Sequence, residues 1–178
     1  MKGEIIMKKL LVVVDMQNDF ITGALGNDEC RSIVSDVVNK VDNFIKENDE
    51  NSVIFTQDTH SFNYLETQEG KNLSVTHCVE GTKGWQIIPE LESYVKTSIK
   101  KNTFGSVELA KLIQNSNFEE VELIGVCTGI CVISNAMTIK AFAPEVKINV
   151  DSKCCACVTP KSHETALEAM KLCQINVY

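Results

Sequence analysis

Two cysteines four residues apart open a predicted helix in the segment GVCTGICV, residues 125–132. At such a position the backbone N–H groups and the positive end of the helix dipole favour a thiolate at Cys131. The same N–H groups can stabilise an oxyanion. The chemistry that this segment predicts is attack by sulfur on a carbonyl carbon.

A thiol nucleophile needs a base, and no histidine lies near Cys131 in the sequence. Asp15, which directly follows the apolar run 10–14, is the available carboxylate. Lys101, which follows a predicted strand, supplies a cation that can fix the orientation of this carboxylate. The three residues form a coherent set of nucleophile, base and orienting charge.

A second group of polar residues has the composition of a metal site. Asp58 and His60 lie two residues apart, so in an extended segment both side chains point to the same side. His77 comes from the long irregular stretch that follows, and Glu69 or Glu66 could add an oxygen ligand. One carboxylate and two imidazoles suit Zn²⁺, Fe²⁺ or Mn²⁺. The spacing alone is equally compatible with ordinary loop residues.

The elements that must position these residues alternate between strand and helix. Apolar runs predict strands at 10–14, 52–56, 95–99, 121–126, 146–150 and 174–178. Helical periodicity predicts helices at 29–48, 106–114, 128–142 and 160–172, the last capped by Thr159. This alternation predicts a parallel α/β sandwich, in which the candidate residues meet at the carboxyl ends of four strands.

Length and composition are typical of one soluble globular domain covering residues 1–178, with 44% hydrophobic and 23% charged residues. The net charge of -7 argues against nucleic acid and against an anionic membrane surface as partners. No apolar run approaches the roughly 20 residues that cross a bilayer. Met7 offers an alternative start, with residues 1–6 as a loose extension. Eight cysteines without a secretory signal indicate free thiols in a reducing cytoplasm.

Five segments, in this order, resemble the nicotinamidase and isochorismatase-like cysteine hydrolases: LLVVVDMQNDF, TQDTH, THCVEGTKGW, KKNTF and GVCTGICV. The match extends from residue 10 to the last predicted helix. The resemblance implies a six-stranded parallel sheet with helices on both faces, in a three-layer α/β/α arrangement. It also implies hydrolysis of a linear carboxamide, with nicotinamide giving nicotinate and ammonia through a cysteine thioester.

The resemblance implies a role for each residue of the catalytic group. Cys131 corresponds to the nucleophile, Asp15 to the general base and Lys101 to the partner of that base. A cis peptide before Cys127 would bring the amide of Cys127 beside that of Cys131 in an oxyanion hole. Gly129 stands where the family often has aspartate.

The resemblance also implies that the metal-site residues are true ligands. These are Asp58, His60 and His77, with Glu69 as a further ligand, and Zn²⁺ is expected before Fe²⁺ or Mn²⁺. In nicotinamidases the metal holds the pyridine nitrogen and so positions the amide. The metal would therefore act chiefly by orienting the substrate.

The implied substrate pocket is lined by Phe20 and Phe104. Many nicotinamidases carry Trp-Pro shortly before the metal-binding His-Cys pair, where this chain has Ser-Val-Thr at 74–76. Leu73, or an aromatic residue from elsewhere, would take the place of that tryptophan. Because this departure bears on the pocket, another small amide or a carbamoyl compound remains the alternative substrate.

Two functions of other classes remain open. A flavodoxin-like signalling module also places acids and a lysine at strand ends, although it needs no thiol at a helix start. A structural zinc site could use Cys154, Cys155 and Cys157, but their spacing is tight for a zinc knuckle and core packing is favoured. His163 is interpreted as a structural or surface residue. An exposed apolar helix face could support a homo-oligomer.

Overall fold

A computed structural model describes residues 8–178 of the chain. The predicted alternative start at Met7 and the extension 1–6 lie outside the described residues. None of the helices in the described part of the chain combines the length and the apolar character that crossing a membrane requires.

The described residues form one central sheet. Its strands are β1 (Lys9–Val14), β2 (Val53–Asp58), β3 (Ser98–Lys101), β4 (Glu120–Val126), β5 (Lys147–Ala156) and β6 (Asn176–Val177). Their spatial order is β3-β2-β1-β4-β5-β6, and every neighbouring pair is parallel. The direction of winding reverses between β1 and β4, and ligands of such sheets bind beyond the carboxyl ends of the strands at this point.

Residues 8–178 include eight α-helices, most of which pack on the two faces of the sheet. They are α1 (Asn18–Ile21), α2 (Asp28–Ser32), α3 (Val34–Glu47), α4 (Gln68–Asn72), α5 (Pro89–Glu92), α6 (Val107–Gln114), α7 (Ile133–Phe142) and α8 (Pro160–Leu172). Apolar residues of α6, α7 and α8 join one core, and those of α1, α2, α3 and α5 join the other. The predicted three-layer α/β/α fold is confirmed.

β1 belongs to both cores because its side chains alternate between the two faces of the sheet. Leu10, Val12 and Val14 face the α6–α8 layer, whereas Leu11 and Val13 face the α1–α3 layer. All five are fully buried, and burial of each such side chain contributes about 1.5–3 kcal/mol. A strand covered on both faces reads as a continuous apolar run, as the sequence indicated.

Some element boundaries differ from the prediction. The helix expected over 29–48 is interrupted at Ile33, which gives the separate helices α2 and α3. The apolar periodicity of the sequence continues across this break, so the sequence pattern does not reveal it. The strand expected over 95–99 lies at Ser98–Lys101, where it pairs with β2. The strand expected over 146–150 continues to Ala156: after a register shift that leaves extra residues in β5, Cys155 and Ala156 pair with Gly125 and Val126 of β4.

The approach of β1 to β4 depends on Gly125. This residue has φ +113°, and a Cβ there would lie 2.2 Å from the carbonyl oxygen of Val14. Both the left-handed backbone and the close approach exclude a side chain without rearrangement. Gly125 thereby sets the spacing of the two strands that lead into the candidate site.

We expect Gly125→Ala to lower the free energy of unfolding by roughly 2–5 kcal/mol, since steric overlap adds to the cost of positive φ. Gly81→Ala is the matched control, because Gly81 has φ +81° but nothing within 4 Å of a Cβ. That variant should lose only about 1 kcal/mol. Urea unfolding measures both, and equal losses would show that the contact with Val14 is unimportant.

Candidate active site

Four parallel strands bring polar side chains to one edge of the sheet. Asp15 follows β1, and Cys131 lies in the turn after β4. Asp58 and Lys101, which were predicted to follow their strands, are the last residues of β2 and β3 and are register partners across these strands. The structure therefore brings together the four residues whose convergence the sequence analysis required.

The Asp15 carboxylate is fully buried and held at both oxygens. Its Oδ1 accepts a hydrogen bond of 2.7 Å from the Thr56 hydroxyl, and its Oδ2 lies 2.6 Å from Nζ of Lys101. The geometry at Oδ2 is that of an ion pair, without a well-directed hydrogen bond from the described residues. This oxygen can therefore receive a proton. Burial raises the pKa of Asp15 above its ordinary value, although the charge of Lys101 opposes the rise.

The Lys101 ammonium contacts three groups of the site. Its Nζ lies 2.6 Å from Asp15 Oδ2, 3.5 Å from Asp58 Oδ1 and 3.6 Å from Cys131 Sγ. Burial by itself would lower the pKa of Lys101, but the negative charges around the ammonium outweigh burial and raise the pKa. Lys101 is therefore a permanent cation at neutral pH.

The Cys131 thiol is buried, which changes its predicted ionisation. Burial raises the pKa of the thiol well above its ordinary value, and the charge of Asp15 raises it further while Lys101 opposes the rise. The expectation that a helix start would favour a free thiolate was wrong, because desolvation dominates. The thiol is protonated at rest, so ionisation requires transfer of its proton to a neighbouring base.

The segment that carries Cys131 also differs from the predicted regular helix. Residues Thr128–Val132 form a π-helical turn, and α7 begins after it. The peptide bond between Val126 and Cys127 is cis, as the resemblance implied. The side chain of buried Asn135 donates a 2.8 Å hydrogen bond to the carbonyl oxygen of Cys131. The turn is thus tied to the first turn of α7 by a side chain that sequence analysis did not select.

The predicted metal ligands converge on one point. Asp58, His60, Glu69 and His77 each offer a ligand atom, and these atoms lie within 4.8 Å of one another. Asp58 Oδ2 is 3.0 Å from Nε2 of His60 and 3.5 Å from Nε2 of His77. Glu69 Oε1 is 3.7 Å and 3.8 Å from the same two nitrogens. Glu66, the alternative acid, is exposed and outside this group.

The donor set fits a four-coordinate cation. Nδ1 of His77 lies 2.8 Å from the carbonyl oxygen of Val75, which can only accept, so the neutral ring carries its proton there and directs Nε2 to the site. Burial favours a raised pKa for Asp58, but its contacts with His60 and His77 and the charge of Lys101 lower the pKa. Two imidazole nitrogens and two carboxylate oxygens suit Zn²⁺, and also Fe²⁺ or Mn²⁺.

Two further residues hold this centre in place, and the sequence analysis missed both. Gln17 accepts a 2.8 Å hydrogen bond from the backbone N–H of Asp58 and donates one of 2.9 Å to the carbonyl oxygen of Asp58. Tyr64 is fully buried against the rings of His60 and His77, with centroids 4.6 and 4.9 Å away. Gln17 lies in the DMQNDF segment, so its position beside Asp15 was a usable signal.

A cavity of about 490 Å³ joins the thiol to the metal ligands. Cys131 and Cys127 lie on its wall, together with Asp58, Glu69 and His77. The predicted pocket residues Phe20 and Phe104 also line it, as does Leu73. A small molecule in this cavity can therefore contact the sulfur and the metal group at the same time.

The structural zinc alternative has no support in the described part of the chain. Cys154 and Cys155 lie on β5 instead of following a strand, and both are buried, as is Cys157. The only cluster of potential metal ligands among residues 8–178 does not include them. Their placement agrees with the alternative of core packing.

We expect Lys101→Met to lower the free energy of unfolding by about 3–5 kcal/mol near neutral pH, because two buried carboxylates lose their counter-charge. Their pKa values should then rise in the folded protein. The folded variant therefore binds more protons than the unfolded chain, and its stability should decrease as pH rises.

Lys100→Met is the matched control, since Lys100 is exposed and pairs at 2.7 Å with exposed Glu80. Such a pair is worth about 0–1 kcal/mol. Urea unfolding at about pH 7.5 and about pH 5 compares the two variants across the range in which the carboxylates titrate. A Lys101→Met variant with the stability of the control at both pH values would contradict the buried charge network.

Comparison with known proteins places the chain in a family. Residues 9–178 match the model of the isochorismatase domain. An uncharacterized isochorismatase family protein, PncA, from Bacillus subtilis (strain 168) is 27% identical over 176 residues, covering 90% of this chain and 93% of that protein. The resemblance inferred from the five sequence segments is thereby confirmed.

Solved structures agree with this assignment. The nicotinamidase/pyrazinamidase PncA from Bacillus subtilis superposes with a TM-score of 0.83 at 27% identity, covering 96% of this chain and 99% of that chain. The pyrazinamidase of Pyrococcus horikoshii in complex with zinc has a TM-score of 0.83 at 26% identity, covering 96% and 98% of the two chains. By sequence match and by fold, the chain belongs to the isochorismatase family.

Proposed function

We propose that the protein is a cysteine-dependent amidohydrolase that converts nicotinamide to nicotinate and ammonia. The observation that carries this proposal is that Cys131, which Lys101 links to Asp15, lines the same cavity as the metal ligands Asp58, Glu69 and His77. A carboxamide on a heteroaromatic ring presents an amide carbon for the sulfur and a ring nitrogen for the metal, at a fixed separation. The similarity to a nicotinamidase/pyrazinamidase supports the same substrate class.

The reaction begins with transfer of the thiol proton to Asp15. The resulting thiolate, next to the Lys101 ammonium, attacks the carboxamide carbon and forms a carbon–sulfur bond. The negative charge moves to the carbonyl oxygen, where the amides of Cys127 and Cys131 would donate hydrogen bonds. Because burial raises the pKa values of both Asp15 and Cys131, proton transfer between them is better matched than with an ordinary carboxylate.

The intermediate collapses when the carbon–nitrogen bond breaks. Asp15 returns its proton to the leaving nitrogen, and ammonia departs from a thioester on Cys131. A water molecule then loses a proton to Asp15 and attacks the thioester carbon. Expulsion of the sulfur, which regains its proton, releases the carboxylic acid and restores the resting site. Lys101 remains charged throughout.

Asp58, His60, Glu69 and His77 would hold a divalent metal, which we propose to be Zn²⁺. When bound, the cation supplies a Lewis-acid contact for a ring nitrogen of the substrate. The two imidazoles and two carboxylates are a donor set that zinc accepts, and the pyrazinamidase of Pyrococcus horikoshii was solved in complex with zinc. Gln17 keeps Asp58 in the orientation that directs Oδ2 toward the imidazoles.

We further infer that the protein works in a reducing compartment, the cytoplasm, on a small diffusible amide. All eight cysteines are free, and the proposed nucleophile among them is inactive when oxidised. Formation of a homo-oligomer is a separate proposal, and light scattering of the purified protein tests it.

The first test is ammonia release from nicotinamide, with pyrazinamide, an aliphatic amide and a carbamoyl compound in parallel. We expect Cys131→Ala and Asp15→Asn each to lower kcat for nicotinamide by at least about 10³-fold, because both remove a group required for thioester formation. Cys173→Ala, at an exposed cysteine, is the control and should be fully active. Preference for a carbamoyl compound would contradict the proposed substrate. Activity of the Cys131→Ala variant would contradict the role of Cys131 as the nucleophile.

The second test concerns the metal. Glu69→Ala should weaken zinc affinity by at least about tenfold, because it removes an oxygen from the cluster. Glu66→Ala, three residues away and exposed, should leave the affinity unchanged. Competition with a chromophoric chelator measures both affinities without any substrate. Equal affinities for the two variants would exclude Glu69 as a ligand.

A further inference from the structure

The turn that carries Cys131 is attached to α8 by a hydrogen bond outside the site described above. Thr128 opens this turn and is fully buried. Its Oγ1 lies 2.8 Å from Nδ1 of His163, in the first turn of α8. Among the described residues, the Thr128 hydroxyl has no other side-chain partner. His163 is therefore the residue that satisfies a buried hydroxyl next to the proposed oxyanion hole.

Gly129 lies where the turn packs against α8. A Cβ at this position would be 3.3 Å from Sγ of Cys157, 3.5 Å from the carbonyl oxygen of Ser162 and 3.6 Å from Cβ of Ala166. The turn therefore packs against α8 at van der Waals distance, and the tightest of the three contacts is with Cys157, which precedes the helix. The contact between Thr128 and His163 is the polar link across this apolar interface.

The start of α8 is itself well anchored. Thr159 accepts a 3.1 Å hydrogen bond from the N–H of Ser162, while the Ser162 hydroxyl accepts one of 3.1 Å from the N–H of Thr159. Pro160 occupies the first helical position. The N–H of His163 donates to the carbonyl oxygen of Thr159 at 3.1 Å. His163 consequently projects from a rigid support, as a positioning group requires.

We propose that His163 is a positioning residue for the reaction, acting through Thr128 on the turn that presents Sγ of Cys131 and the two oxyanion-hole amides. This rests on the proposed hydrolase function. The hydroxyl can donate to Nδ1 or accept from it, so either tautomer of the ring maintains the contact. Loss of the ring leaves a buried hydroxyl unpaired and releases one end of the turn. A displacement of about 1 Å at reacting atoms can cost about 10²-fold in rate.

The test compares His163→Ala with His163→Asn, whose amide can occupy the position of Nδ1. We expect His163→Ala to lower kcat for nicotinamide by about tenfold or more, with KM changed by less than about twofold. His163→Asn should recover most of the loss. Glu164→Ala, the adjacent exposed residue, should behave like the unaltered protein. Equal kcat in His163→Ala and Glu164→Ala, or no recovery in His163→Asn, overturns the proposal.

A double-mutant cycle with Thr128→Val separates positioning from general stability. Because both residues act through one contact, the double variant should lose no more kcat than either single variant. Losses that multiply overturn the proposal. The rate at which iodoacetamide alkylates Cys131 can be followed by mass spectrometry without any amide substrate. This rate should rank the variants in the same order as kcat does. Absence of ammonia release by the unaltered protein would reject the hydrolase function, while the alkylation rates still decide the role of His163.

Discussion

The site is organised around one buried ammonium. Lys101 lies between the carboxylates of Asp15 and Asp58, and two carboxylates this deep cannot both remain ionised without a nearby cation. The parallel register of β2 and β3 places Asp58 opposite Lys101, so ordinary sheet pairing creates the arrangement. Asp58 turns Oδ1 to Lys101 and Oδ2 to the imidazoles. One carboxylate therefore connects the proposed nucleophile centre to the proposed metal centre.

Burial raises the pKa values of both partners of the proposed proton transfer, which hinders release of the proton by Cys131 and favours its acceptance by Asp15. It makes the Cys131 thiol a weaker acid and the Asp15 carboxylate a stronger base than their exposed counterparts. A buried thiol is protected from adventitious reaction, and in the proposed mechanism its proton passes to the Asp15 carboxylate. The proposed catalysis thus depends on proton transfer from Cys131 to Asp15 when the substrate is bound, without a thiolate that is present at rest.

Residues that perform no chemistry account for much of the order at the site. Gln17 holds the backbone of Asp58 by two hydrogen bonds, and Asn135 holds the carbonyl oxygen of Cys131. Tyr64 encloses the imidazole rings, and Gly125 lets β4 approach β1 where both enter the site. The geometry of the reactive groups is thereby fixed by neighbours that are themselves fully buried.

The sequence alone determined the features that depend on residue type and short-range spacing. Strand and helix alternation indicated the fold, the Asp58-x-His60 spacing indicated a shared side, and Thr159-Pro160 marked the start of α8. Tertiary structure decided the rest. The contacts of Gln17 with Asp58 and Trp85 span 41 and 68 residues, and the pairing of β3 with β2 extends the strand to include Lys101. The ionisation of Cys131 followed from desolvation, which is a property of the folded surroundings that no local pattern encodes.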